Sequence, residues 1–380
     1  MNKFRLTMGI VLLLVLTLAV TGCAKKMAPP APVPQPVVKM FKVAFLYTGT
    51  VNDKGWTQAQ DRGRQYLAKL LPNVETSYMD AVNPGDDAER MLAELAEKGN
   101  RVIFATDGNY SDAALKVAKR YPKTVFMVCN GAQTALNLGV YGGWMYKTRY
   151  LAGLVAGRLS SQDLIGYVAA DPGTEEIRDI DAFTLGVQRE NPKATVQVIW
   201  THSRLEPQSE KDAVKSLIDD GAGIIVQQRD DPALRPPASE RAIHFIGSDG
   251  DLSQQAPLDD LVSIGWNWGP IFVAAVRAVQ DGNWNSGPIW GDLSSGTVDL
   301  APLNPIIPED VRTLVQSQKK QLSLGNQDIF VGPLKDQQGA VRLKAGQRLT
   351  DSQLLDLDWF VAGVKTPPAA PDTNKPQAAP

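Results

Sequence analysis

Cysteine and histidine are almost missing from this 380-residue chain, which has two of each: Cys23, Cys129, His202 and His244. Two thiols build neither a disulfide framework nor a four-thiolate metal site, and two imidazoles leave little for metal ligation or acid–base catalysis. An excess of positive charge is missing too. With 39 Lys+Arg against 41 Asp+Glu, the chain has no basic footprint for nucleic acid. It contains no G-x-x-x-x-G-K-S/T phosphate loop, no H-E-x-x-H and no G-x-S-x-G. Residues 282–287 (GNWNSG) neither follow a strand nor open a helix, so they are not a dinucleotide fingerprint. The pairs Asp230/Asp231 and Asp249/Asp251 have no nucleophile or metal beside them and read as hydroxyl acceptors or caps. These absences point to a binding protein with no cofactor, no metal and no catalytic residue.

What is present begins with a targeting segment. Lys3 and Arg5 precede an apolar run from Leu6 to Val20, and Val20-Thr21-Gly22-Cys23 ends it. This resembles a bacterial lipobox, with residues 1–22 as signal peptide and Cys23 as the acylated residue. Several acyl chains at roughly 0.8 kcal/mol per buried methylene make a lasting anchor. Ala24 after that cysteine, in place of Asp, fits outer-membrane sorting in a Gram-negative host. No other apolar run is long enough to span a bilayer. Cys129, inside the run VFMVC, then reads as a buried core thiol. Residues 23–40 hold five prolines and form a semi-rigid tether, and 366–380 hold five more and read as a disordered tail.

Between them, β-rich apolar runs alternate with segments of helical period. Residues 42–47, 74–79, 101–105 and 124–129 read as strands, with helices over 55–70, 86–98 and 111–120 between and after them. The first helix presents Trp56, Ala59, Gly63, Tyr66, Leu67 and Leu70 on one face. A helix over about 147–160 opens a second series. Its strands are 165–169, 195–201, 223–227 and 242–246; its helices are 174–190, 208–219 and 232–240. Repeated βαβ units mean parallel sheets covered by helices on both faces, here in two lobes. The expected division is 41–135 (completed by about 268–300) and 136–267 (completed by about 301–365). Crossovers are expected near 130–145, 250–268 and 296–304.

Such sheets bind ligands beyond the carboxyl ends of their strands. Six of those ends carry Gly, hydrogen-bonding groups and a few aromatics. They hold Asp53, Trp56 and Thr57; Tyr110; Asn130; Arg204; Arg229 and Asp230; and Asp249. Asn, Asp and Gly are also ordinary caps and turn formers, and Trp56 can face either a cleft or the core. Six such loops at one end of the strands describe a cleft for a small polar molecule.

Several segments in order resemble the basic membrane protein family, the substrate-binding lipoproteins of ABC importers. They are the lipobox, G-T-V-N-D-K-G-W-T-Q-A from Gly49, YKTRYLAGLVAGRLS at 146–160 and GAGIIVQQ at 221–228. W-N-W-G from Trp266, VDLAPLNP with P-E-D-V-R, and D-W-F-V-A-G-V from Asp358 match a subgroup. The resemblance implies a type I periplasmic-binding-protein fold, a purine-like ligand, permease and ATPase partners, a monomer and no enzymatic activity. It makes Asp53 and Trp56 the acidic and aromatic ligand contacts and adds Trp266. It puts Thr57 where an Asn is usual, and Asn130 where many members have Asp. Asp249 would take a sugar hydroxyl or a ring N–H. Arg204 replaces the aromatic of the second lobe, and Arg229 adds another cation beside Asp230. A guanidinium stacks on a base and also prefers anions, so the ligand is a purine nucleoside or nucleobase, or a different, anionic solute. In the second case the protein is a transport-independent sensor or envelope partner. A nucleoside hydrolase is the third class, and it lacks an activated nucleophile.

Overall fold

The computed structural model describes residues 40–202, 206–227, 243–248 and 260–366. In chain order the first elements are β1 (Phe41–Leu46), α1 (Trp56–Leu70), β2 (Val74–Met79), α2 (Asp86–Glu97), β3 (Val102–Ala105), α3 (Ser111–Arg120), β4 (Val125–Cys129) and β5 (Leu138–Gly143). Next come α4 (Tyr146–Leu159), β6 (Leu164–Ala169), α5 (Thr174–Glu190), β7 (Thr195–Trp200), α6 (Pro207–Asp219), β8 (Ile224–Val226), β9 (His244–Ser248) and β10 (Asp260–Trp266). The last are α7 (Gly269–Gln280), β11 (Ile289–Gly291), β12 (Val298–Leu300), α8 (Glu309–Ser323), β13 (Leu334–Lys335), β14 (Val341–Leu343), α9 (Asp351–Leu355) and β15 (Val364–Lys365).

Two sheets result. The first has the order β11-β5-β4-β3-β1-β2 and is parallel throughout. The second, β12-β10-β9-β8-β6-β7-β15, is parallel except where β12 runs against β10. Sequence pattern explains the positions. The inner strand β3 (VIFA) is buried at every residue, as both covered faces require, whereas edge strand β2 (VETSYM) is mostly open. Helix α2 starts with Asp86, Asp87 and Glu89 at its positive end, α6 starts on Pro207, and Thr350 with Gln353 closes a capping box on α9.

The first sheet does not stop near 135, as the sequence pattern suggested. β5 pairs with β4 and carries it to Gly143, because LGVYGG is a fully buried run. The chain then crosses between sheets after Gly143, after Trp266 and after Gly291. The third crossing thus begins earlier than 296, and β12 joins the second sheet instead of completing the first. The crossing segments lie side by side: Trp144 N donates to Gly291 O at 2.8 Å and Asn267 N to Thr297 O at 2.7 Å. Trp144 stacks on Trp290 at 4.9 Å, and Lys147 pairs with Asp292 at 2.6 Å.

The buried face of α1 is also rotated from the expected one. Tyr66 and Leu70 are exposed, while Gln60 and Asp61 are buried. Polar groups are tolerated there because each is satisfied. Gln60 accepts from Tyr141 Oη at 3.1 Å and donates to Cys129 Sγ at 3.7 Å. Asp61 accepts from Tyr47 Oη (3.2 Å), Arg64 Nε (2.6 Å) and Gln65 Nε2 (2.7 Å). The strand expected at 242–246 is His244–Ser248. The expected signal peptide, most of the tether, the helix over 232–240 and nearly all of the tail lie outside the described residues.

Candidate functional site

Strand ends of the two sheets supply the candidate site. After β1, Asp53 turns its carboxylate onto the start of α1. Its Oδ1 accepts from Gly55 N (2.9 Å) and Gln58 N (3.0 Å), and its Oδ2 from Thr57 N at 2.9 Å. Three of roughly four lone-pair positions are used, so Asp53 serves first as a helix cap. Close approach is built in: a Cβ on Gly49 would lie 2.7 Å from Thr57 Oγ1 and 3.1 Å from Asp53 Oδ2. Thr57 itself is buried.

Trp56 is half-buried and held at one edge, with Nε1 donating to Thr106 O at 2.8 Å. Behind it, Trp266 and Trp268 stack on each other at 4.4 Å, and Trp56 meets both edge-on at 5.7 and 5.5 Å. Trp266 is only 5% exposed and packs against Gly143 at the crossing. It backs Trp56 rather than presenting a face of its own. Tyr110, expected in the site, is fully buried between α2 and α3, with its Oη donating to Val82 O at 2.6 Å. With no open surface it does not reach a ligand.

Asn130 takes the left-handed conformation that Asn tolerates, with φ 49°. Its Nδ2 donates to Glu175 Oε2, in the first turn of α5, at 2.9 Å. That hydrogen bond joins the end of β4 in the first sheet to the second half. In the second half, Arg149 on α4 is nearly buried; its Nη1 donates to Ser248 Oγ at 2.8 Å, and Ser248 Oγ donates to Gln227 O at 2.5 Å. Arg149 also faces Asp179 at 3.5 Å and lies over the Tyr167 ring at 5.5 Å. Burial pushes the Asp179 carboxyl up to about 7, with Arg149 and Arg178 opposing the rise. Arg204, Arg229, Asp230 and Asp249 lie outside the described residues.

Sequence reasoning missed Glu175 and Arg149. The first had a signal: Asp171-Pro172-Gly173 after β6 is a parallel strand end like the others, with Glu175 just beyond it. Arg149 had none, because α4 carries Lys147, Arg149 and Arg158 and its sequence gives no sign of which one turns inward. Chemically the described groups offer hydrogen bonds and ring faces to a ligand. Burial holds the Cys129 thiol well above its usual range, and Gln60 occupies its sulfur. Among the described residues, no group of three or more His, Cys, Asp or Glu is placed to hold a metal ion.

Two doubly wound sheets joined by three adjacent crossings, with polar and aromatic groups at their facing strand ends, define the periplasmic-binding-protein class. The chain belongs to the Bmp family, described as ABC transporter substrate-binding protein PnrA-like, whose model matches residues 40–327. It is 38% identical over 325 residues to a purine-binding protein of Brucella abortus, covering 85% of this chain and 93% of that one. It is 33% identical over 289 residues to a Haloferax volcanii protein whose name assigns it glucose binding in an ABC transporter, covering 76% and 74%. Among solved structures, an ABC transporter solute-binding protein from Conexibacter woesei superposes with TM-score 0.64 at 19% identity, over 76% of this chain and 98% of that one. That likeness carries the fold alone. The chain is therefore an extracytoplasmic substrate-binding protein of an ABC transporter, not an enzyme. Its partners are a small-molecule ligand and the permease and ATPase subunits.

Proposed function

We propose that the protein binds a purine nucleoside or nucleobase between its two halves and hands it to its permease while anchored by acyl chains on Cys23. The observation that carries this reading is the Trp56 ring, held by Thr106 O at one edge and backed by Trp266 and Trp268. An indole fixed in advance loses little freedom on binding, and a flat base stacks on it. The 38% identical relative, named as purine-binding, adds to it. The halves act as lobes that close by bending at the three crossings. The relative named for glucose favours a second reading, a sugar held by hydroxyl contacts alone.

A thermal-shift series with adenosine, inosine, hypoxanthine and glucose separates the two. A ligand at 100 times its Kd stabilises the native state by about 2.7 kcal/mol. A shift with glucose and none with any purine sinks the purine reading. Stacking is worth roughly 1–3 kcal/mol, so Trp56→Ala weakens purine binding about 5- to 150-fold. Unchanged affinity with a lowered melting temperature would assign Trp56 to the core instead. The anchor is checked separately: Cys23→Ser releases the mature chain from washed membranes, and a variant still wholly membrane-bound is held by something else.

A further inference from the structure

The end of the first sheet remote from the site has a chemistry of its own. There the amino ends of β1, β3 and β4 meet the carboxyl ends of α1, α2 and α3. Lys42, Lys69, Arg101, Lys119 and Lys123 all emerge exposed at this end, and none forms an ion pair among the described residues. The acids nearby are fewer. Lys98 holds Glu94 at 2.7 Å, which leaves Glu75, Asp281 and Glu97, the last accepting from the neutral Tyr121 Oη at 2.6 Å, against five cations. This local excess stands out in a chain whose formal charge is −2. Basic residues at helix carboxyl ends offset the helix dipole, but Lys42 lies in β1 and Arg101 and Lys123 precede strands, so these three have no such role.

Two further features coincide with the charge. An open pocket of about 650 Å³ lies at this end, lined among others by Asn100, Arg101, Arg120, Tyr121 and Lys123. Apolar side chains are exposed between the cations: Met40 is 39% and Leu70 46% open, with Pro122 beside the pocket. Cations interleaved with exposed apolar groups suit the boundary layer of a bilayer, where headgroup phosphates meet the first methylenes. The chain also enters the fold at Met40, directly before β1.

We propose that this pole of the first half is a docking face for a membrane surface bearing acidic phospholipid headgroups. Contact through it holds the carrier against the bilayer while the strand ends that take the ligand point away from that face. The idea builds on the anchored reading, but its test does not need the anchor. The mature polypeptide from Ala24 onward, without acyl groups, is sedimented with vesicles of phosphatidylcholine alone or mixed with phosphatidylglycerol. The expected result is binding at least about 10-fold stronger to the acidic vesicles and lost at high salt. Lys69→Gln/Arg101→Gln/Lys123→Gln abolishes that preference with melting temperature and ligand binding unchanged. The exposed control pair Lys193→Gln/Lys211→Gln in the second half keeps it. Equal binding to neutral vesicles, or a triple variant that behaves like the parent, overturns the proposal. Displacement from vesicles by millimolar inorganic phosphate would assign the pocket to a free phosphate and overturn it as well. A failure here leaves the Cys23→Ser result untouched.

Discussion

In the α1–α7 seam of the first half, glycine makes room for rings. In the α4–α5 seam of the second, it brings backbones together. A Cβ on Gly63 would lie 2.7 Å from the Phe272 ring, and Tyr66 covers Gly269 in the same way. Phe272 in turn meets Phe45, Phe104 and Tyr141 at 5.0, 4.5 and 5.6 Å. On α4, Gly153 and Gly157 face the carbonyls of Phe183 and Val187, and Gly186 on α5 faces that of Tyr150. A ring can rotate aside when crowded; a helix carbonyl cannot without moving its helix. The same count of atoms added to the two seams should therefore cost very different amounts.

The largest effect tests this directly. Gly153→Ala should cost about 3 kcal/mol or more, at the top of the range for overpacking, and Gly63→Ala nearer the bottom, about 1 kcal/mol. Urea unfolding of both variants measures the pair. Equal losses would mean that the ring seam is as rigid as the backbone seam, and the contrast would fail.

A second test uses what α5 buries against the segment after 327. Helix α5 carries Asp181 fully inside, its Oδ1 accepting from Val361 N at 2.9 Å and its Oδ2 without a partner among the described residues. Burial holds that carboxyl well above the usual range. Nearby, Arg178 Nη1 donates to Leu354 O at 2.9 Å and its guanidinium lies over Trp144 at 5.1 Å. The two residues fasten the segment after 327, which runs beyond the family match, to the second half. Asp181→Ala leaves Val361 N unpaired, at a cost of about 1–3 kcal/mol. Limited proteolysis should then cut between 345 and 366 well before the first half is touched. Simultaneous loss of both halves would show that the segment is not a separate fastening.

The last test is one of pH. Asp179 in the α4–α5 seam has a carboxyl raised to about 7, against about 4 in an unfolded chain. Between those values the native state binds the extra proton, so stability falls as pH rises through the window and levels off above about 7. Asp179→Asn should flatten that fall, seen as a smaller difference in melting temperature between pH 5 and pH 8. An unchanged slope would place its cause elsewhere.

Much of this was legible in the sequence because parallel sheets announce themselves. Runs such as VFMVC and VIFA, separated by helical periods, fix two βα series and the side of each sheet where ligands go. Trp56 was legible as a position, and its edge contact with Trp266 joins two residues 210 apart that were both expected at the site. Roles were harder. Asp53 and a ligand carboxylate look alike in sequence, since capping and recognition ask for the same residue after a strand. Tyr110 sits at a strand end like the others, and only the packing of α2 on α3 turns it inward. The rotated face of α1 was hidden because a helical pattern counts apolar residues, whereas Gln60 and Asp61 are buried by their partners.

The threading of the chain has a consequence for its birth. The first sheet lacks its edge until Ile289–Gly291 has been made, and the second lacks β15 until Val364–Lys365. Neither half is a continuous stretch, so during synthesis no early segment can complete a domain, and closing these distant contacts is slow in any case. For a protein that works outside the cytoplasm, that delay is useful: the chain is still unfinished as a structure, and so still threadable, while most of it has yet to reach the translocation pore.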